Sequence, residues 1–294
     1  METPKVTQAM IDAYDEYTHL TLDRRAFMEK LTAIAGSAAS AAAIAPLLAA
    51  NKASAQMIPE DDARLVAEEV SYPGSNGMMK GYLVRPKEEA GPLPGVIVIH
   101  ENRGLNPHTR DVARRMALEG FVVLAPDFLS IVGGTPADED KAREMISALD
   151  RDGTVANAEA SRAFLAAPNR SAGRVGAVGF CWGGGLVNRL AESSPELAAG
   201  VAYYGAQPPL DQVPAIKAAL LLHYAGLDER INAGIEDYRK ALEANNKTFE
   251  IFMYDGVNHA FNNDTSQARY NKEAADLAWS RTVAFLKKYL ASTG

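Results

Sequence analysis

From Val66 onward, short apolar and β-branched runs alternate with stretches whose apolar residues recur at helical spacing. That alternation predicts strands and helices in turn over a mostly parallel sheet covered on both faces. Residues 66–72 and 78–84, separated by Pro73-Gly74-Ser75-Asn76-Gly77, predict an opening antiparallel hairpin. The almost wholly apolar run 94–100 predicts a strand buried on both sides. Asn106-Pro107 reads as a cap and a first-turn proline, opening a helix with Val112 and Met116 on one side and ending at Gly120. Further strands are expected at 121–125, 174–178, 198–203, 218–224 and 248–254. Helices are expected at 138–149, 155–166, 182–193, 231–244 and 268–290, the last with Ala274, Ala278, Thr282, Phe285 and Tyr289 on one face.

The first 55 residues break this pattern. Residues 1–30 are polar and mixed in charge, whereas 31–50 form an uncharged, Ala-rich stretch. Asp23-Arg24-Arg25-Ala26-Phe27 stands before that stretch and Lys52-Ala53-Ser54-Ala55-Gln56 after it. Adjacent arginines, a mildly apolar segment and a small-residue end predict a twin-arginine export signal cleaved after Ala55, with a periplasmic product. Two other readings stand beside it: an Ala-rich helix packed on the protein, and a retained membrane anchor. Pro46 and the dilution by Gly and Ser count against both. On the export reading, 1–55 is an address, 56–294 is a single domain, and no stable membrane insertion is expected once the signal is removed.

Composition narrows the function. Hydrophobic residues make up 47% and charged residues 23% of 294, the balance of a globular chain rather than a disordered or multi-span one. A net charge of -7 is the wrong sign for a protein held to nucleic acid by charge. The single cysteine, Cys181, excludes an intramolecular disulfide and a multi-cysteine zinc site.

That cysteine sits in Gly179-Phe180-Cys181-Trp182-Gly183, between an expected strand and an expected helix. This is the nucleophile-elbow pattern with Cys in place of Ser. Flanking glycines are needed where a strained turn brings strand and helix together and pushes the central residue out at the top of the sheet. A thiol at the start of a helix also meets free N–H groups and the positive dipole end, which favour the thiolate. A buried cysteine beside a Gly-rich turn is the plainer alternative.

A thiolate nucleophile needs a base and a group to orient it. Asp228 follows the strand 218–224 and His259 follows the strand 248–254, in the chain order acid then His and in loops at the carboxyl ends of strands, where parallel α/β sheets place their chemistry. Asp228 could instead cap the next helix, and Asp255 could be the orienter. His19 falls in the leader, His100 and His223 end strands, and His108 begins a helix. They show no metal spacing and read as structural, and neither a metal nor a cofactor is expected.

Gly179-Phe180-Cys181-Trp182-Gly183-Gly184, Gly226-Leu227-Asp228, Asn258-His259-Ala260-Phe261 and His100-Glu101-Asn102-Arg103-Gly104 together resemble the dienelactone hydrolase (carboxymethylenebutenolidase) family of α/β-hydrolases over about 66–290. The resemblance implies the α/β-hydrolase fold and a Cys181-His259-Asp228 triad. It also implies that Glu101 keeps the resting thiol protonated until substrate arrives, and that the backbone N–H groups of Trp182 and Asn102 form an oxyanion hole. The family holds a substrate carboxylate with two arginines. Arg143 is the candidate for the one from the lid, but the position four residues after His259 is Asn263. Tyr203 and Tyr204 are candidates for the pocket wall or for the core.

The expected activity is hydrolysis of a small-molecule activated ester or enol lactone, because a thiolate leaves more readily than a simple alkoxide. A carboxylesterase for neutral esters on the same triad is the alternative, and a thiol redox or ligand-binding protein is another, weakened by the lack of a resolving cysteine.

Overall fold

The structure is a computed structural model that describes residues 5–49, 56–88 and 91–291. The expected cleavage site at Ala55 lies outside the described residues. Eight strands form one sheet: β1 (Leu65–Pro73), β2 (Met78–Pro86), β3 (Gly95–Ile99), β4 (Val122–Asp127), β5 (Val175–Phe180), β6 (Ala199–Tyr203), β7 (Ala219–Ala225) and β8 (Phe249–Tyr254). Their order is β1-β2-β4-β3-β5-β6-β7-β8. The pairs β1/β2 and β2/β4 are antiparallel, and all others are parallel. Strands β3, β5, β6 and β7 are buried at every position, which is why their sequences are apolar without alternation. Edge strand β8 is exposed at two positions and buried only at Tyr254.

Helices α4 (Pro107–Leu118) and α10 (Lys272–Leu290) cover one face, where Val112, Met116, Ala278 and Phe285 share a core. Helices α6 (Arg151–Leu165), α7 (Trp182–Ser193) and α9 (Ile235–Ala244) cover the other through Leu165, Val187, Leu190, Tyr238 and Leu242. The mostly parallel sheet with helices on both faces is what the alternating pattern predicted, and it is the α/β-hydrolase arrangement that the resemblance implies. Three helices differ from expectation. Helix α6 begins at Arg151 rather than 155, because the Asp150 side chain accepts from the Gly153 N–H and caps it there. The stretch 231–244 divides into α8 (Glu229–Asn232) and α9 at Gly234, where an added Cβ would lie 2.5 Å from Oε1 of Gln207. The last helix begins at Lys272 rather than 268, because the Asn271 side chain accepts from the Ala274 N–H and caps it there.

The N-terminal stretch folds as α1 (Gln8–Thr18), α2 (Arg24–Ala35) and α3 (Ala38–Leu48). Asp23 caps α2 and Ser37 caps α3, while Gly36 at φ 79° ends α2 in the left-handed conformation glycine tolerates. The apolar run is therefore split into two helices bent by 113°, and among the described residues no single helix is long and apolar enough to cross a membrane. Met10, Tyr14, Phe27, Leu31, Ile44 and Leu48 form a small core of their own. The unit docks on the sheet-bearing body through polar and cation–π contacts. Arg103 Nη2 donates to Tyr14 Oη (2.7 Å), Arg269 lies 5.1 Å from the Tyr14 ring centre, and Tyr17 Oη donates to Asp140 Oδ2 (2.5 Å).

Candidate active site

Cys181 stands between β5 and α7 with φ 54° and ψ -115°, a conformation costly for a residue with a Cβ. The strain is held by close packing on both sides. A Cβ on Gly179 would lie 2.1 Å from the Gly183 carbonyl oxygen, and one on Gly183 would lie 2.5 Å from the His100 carbonyl oxygen. The elbow therefore requires glycine at both flanks, as the sequence pattern predicted.

His259 and Asp228 meet in the loops after β8 and β7. Nδ1 of His259 lies 2.5 Å from Asp228 Oδ2, both side chains being buried. Asp228 also does what its helix-cap reading proposed, since Oδ1 accepts from the Ile231 N–H at 3.2 Å. Asp255 is exposed. Nε2 of His259 is buried without a hydrogen-bond partner among the described residues.

The thiol's hydrogen-bond partner is a residue that sequence reasoning left outside the site. Nε2 of His19 lies 3.4 Å from Cys181 Sγ, so the structure sets beside the thiol a histidine that the sequence reading took as merely structural. Ring nitrogens of His19 and His259 and the Cys181 sulfur all lie within 4.8 Å of one another, and the two rings pack edge to face at 4.7 Å. No local signal marked His19, because it is 162 residues from Cys181 and only the docking of α1 brings them together.

The electrostatics follow from this crowding. Burial alone would raise the Cys181 thiol, but the His259 and His19 imidazoles outweigh it and bring it down to about 6. Burial disfavours the imidazoliums, yet the thiolate, Asp15 and Asp228 hold His259 well above its ordinary value. His19 is raised in the same way, against burial, by the Cys181 sulfur and Asp15. Asp228 is lowered against burial chiefly by the His259 charge.

A profile of the Dienelactone hydrolase family matches residues 79–290. The "Putative carboxymethylenebutenolidase" of Escherichia coli O157:H7 is 34% identical over 256 residues, covering 82% of this chain and 94% of that protein. The protein of the same name in Methylorubrum extorquens is 31% identical over 285 residues, covering 92% and 94%. The chain belongs to the dienelactone hydrolase family. It is a hydrolase of the carboxylic-ester class. The crystal structure of a "Putative Dienelactone Hydrolase" from Klebsiella pneumoniae superposes with TM-score 0.71 at 33% identity, over 76% of this chain and 99% of that one.

This dienelactone hydrolase family member has a cavity of about 410 Å³ lined by Cys181, His259, His19, Trp182, Asn102 and Tyr204. Tyr204 sits at φ 39° with its ring 4.8 Å from His259, whereas Tyr203 is core, its hydroxyl bonded to Thr282. Arg143 also reaches the cavity wall, from α5 (Glu139–Ser147). Its guanidinium is engaged by the Tyr17 carbonyl (2.5 Å) and Asp140 (2.6 Å) and lies over the Tyr17 ring. At the position where the family carries a second arginine, Asn263 Nδ2 instead donates to Glu101 Oε2 at 2.8 Å. Glu101 is thus tied to Asn263, and its other oxygen is buried without a hydrogen-bond partner among the described residues. The remaining described histidines have partners of their own: His100 Nδ1 lies 2.6 Å from the Glu101 carbonyl, His223 bonds Thr282 and Tyr254, and His108 pairs with Asp264.

Proposed function

We propose that this enzyme hydrolyses activated esters and enol lactones by acyl transfer through Cys181, with His259 as proton shuttle and Asp228 as its orienter. The observation that carries this reading is the strained, glycine-flanked Cys181 thiol, lowered to about 6 beside a His259 held on Asp228 at 2.5 Å. The thiolate attacks the carbonyl carbon, an S–C bond forms, and the carbonyl π pair moves onto oxygen. On this reading, which the family resemblance supports, the backbone N–H groups of Trp182 and Asn102 donate to that oxyanion, each worth about 3 kcal/mol in comparable chemistry. Collapse breaks the C–O bond, and the departing enolate or phenolate oxygen takes the proton from His259 Nε2. Water then gives a proton to His259 while its oxygen attacks the thioester, and the second collapse returns the thiolate.

The cavity lining favours a substrate with a negative group. Arg151, Arg189 and Arg230 line it, with Glu192 and Asp152 near Arg189 and Asp228 near Arg230. They offer the charge that Asn263 lacks and that Arg143 spends on Asp140 and the Tyr17 carbonyl. Purified enzyme should turn over a dienelactone carboxylate and, more weakly, p-nitrophenyl acetate, while Cys181→Ala loses both activities. Equal inertness of wild type and Cys181→Ala would remove the hydrolase reading. Turnover of the neutral ester alone would remove the anionic preference and leave a small-ester carboxylesterase.

A further inference from the structure

We propose that His19, oriented by Asp15, is a second catalytic imidazole for Cys181, so that the N-terminal helical unit completes the active site rather than merely covering it. The inference rests on Cys181 being the nucleophile. Nδ1 of His19 lies 2.8 Å from the Asp15 carbonyl oxygen and 3.3 Å from its carboxylate, so Nδ1 carries a proton and Nε2 faces the sulfur at 3.4 Å. The arrangement repeats that of His259, whose Nδ1 is held by Asp228. Each histidine is followed by a non-glycine residue in the left-handed region, Leu20 at φ 61° and Ala260 at φ 64°, a strain that persists only where the surroundings enforce it.

The enforcement comes from the hydrolase body. The last carbonyls of a helix have no intrahelical partner. At the end of α1, the Thr18 carbonyl accepts from Asn102 Nδ2 at 2.7 Å and the Tyr17 carbonyl accepts from Arg143 Nη1. Two side chains of the cavity wall thus fix the helix end that carries His19, and the negative end of the helix dipole favours an imidazolium there. Thr18, His19 and Leu20 form one wall of the cavity without filling it. A segment that simply plugged the site would leave no such space.

In the reaction His19 keeps its proton throughout. Its Nε2–H donates to the thiolate before attack and again when the thiolate leaves the second tetrahedral intermediate, and His259 alone exchanges protons with the leaving group and water. The groups facing the sulfur are Asp15 and His19 from α1 and its end, Glu101 after β3 and Tyr204 after β6. Asp228 and Arg230 follow β7, His259 and Arg269 follow β8, and Arg143 lies on α5.

The test uses full-length wild type, His19→Gln and Asp15→Asn. It reads the pH dependence of Cys181 alkylation by iodoacetamide alongside hydrolysis of p-nitrophenyl acetate. Wild type should alkylate with a midpoint near 6. Loss of the His19 charge should raise that midpoint by about one unit or more and lower kcat with KM little changed. Asp15→Asn should shift the midpoint the same way by less, and Asp15→Glu should restore it in part. An unchanged midpoint in His19→Gln, or a change confined to KM, overturns the proposal. Should His19→Gln not fold, ¹⁵N-histidine spectra of wild type before and after methylthiolation of Cys181 decide the matter. Two rings that lose their neutral-pH protonation support it, and one ring overturns it. The alkylation midpoint is read without turnover, so failure of the hydrolase reading shows separately, as ester inertness shared with Cys181→Ala.

Discussion

Asp228 divides its two carboxylate oxygens between His259 Nδ1 and the Ile231 N–H, so one residue holds the His259 ring, the proton shuttle of the proposed mechanism, and caps α8. Asp228→Asn keeps an acceptor for the cap but removes the charge that stabilises the imidazolium. The expected result is a fall in kcat of about 10²–10⁴-fold with little change in thermal stability, measured on a p-nitrophenyl ester beside a melting curve. The pH profile follows from the same residues. Cys181 must be ionised, and its pKa is lowered to about 6, so kcat/KM should fall about tenfold per pH unit below 6. His259 is raised well above its ordinary value, so its proton is retained and no loss is expected as pH rises through 6.5. A profile that instead rises only near the ordinary thiol value of about 8.5 would contradict the lowered thiol.

Among the elements, the strand-to-helix turn was the most legible in the sequence, because its constraint is local. The run Gly183-Gly184-Gly185 nevertheless hides a difference that the fold alone exposes. A Cβ on Gly183 would lie 2.5 and 2.6 Å from the His100 and Ile99 carbonyl oxygens, whereas one on Gly185 would find Ala206 atoms at an ordinary 3.5 Å or more. Gly183→Ala should therefore cost about 1–3 kcal/mol and displace the nucleophile, while Gly185→Ala should leave stability unchanged or improved, as denaturant unfolding would show. The start of α10 and the break before α9 were less legible. The competing Asn271 cap and the packing of Gln207 against Gly234 are decided by neighbours that periodicity does not register.

At the scale of the molecule, the N-terminal unit is joined to the hydrolase body mostly by polar contacts at its docking face, with its apolar residues turned inward on themselves. If that unit supplies His19, active enzyme isolated from its native host should retain residue 19. Intact mass spectrometry checks this, and fully active enzyme beginning at Gln56 would contradict it. The sequence by itself determined the α/β alternation, the elbow at Cys181 and the order of Asp228 and His259, because strand periodicity, glycine requirements and loops after strands are written in neighbouring residues. Only the tertiary structure decided that Asn263 holds Glu101 and that Arg143 is spent on α1 and Asp140. It alone set His19 against the thiol, since that contact depends on how a separately cored helical unit docks and not on any spacing along the chain.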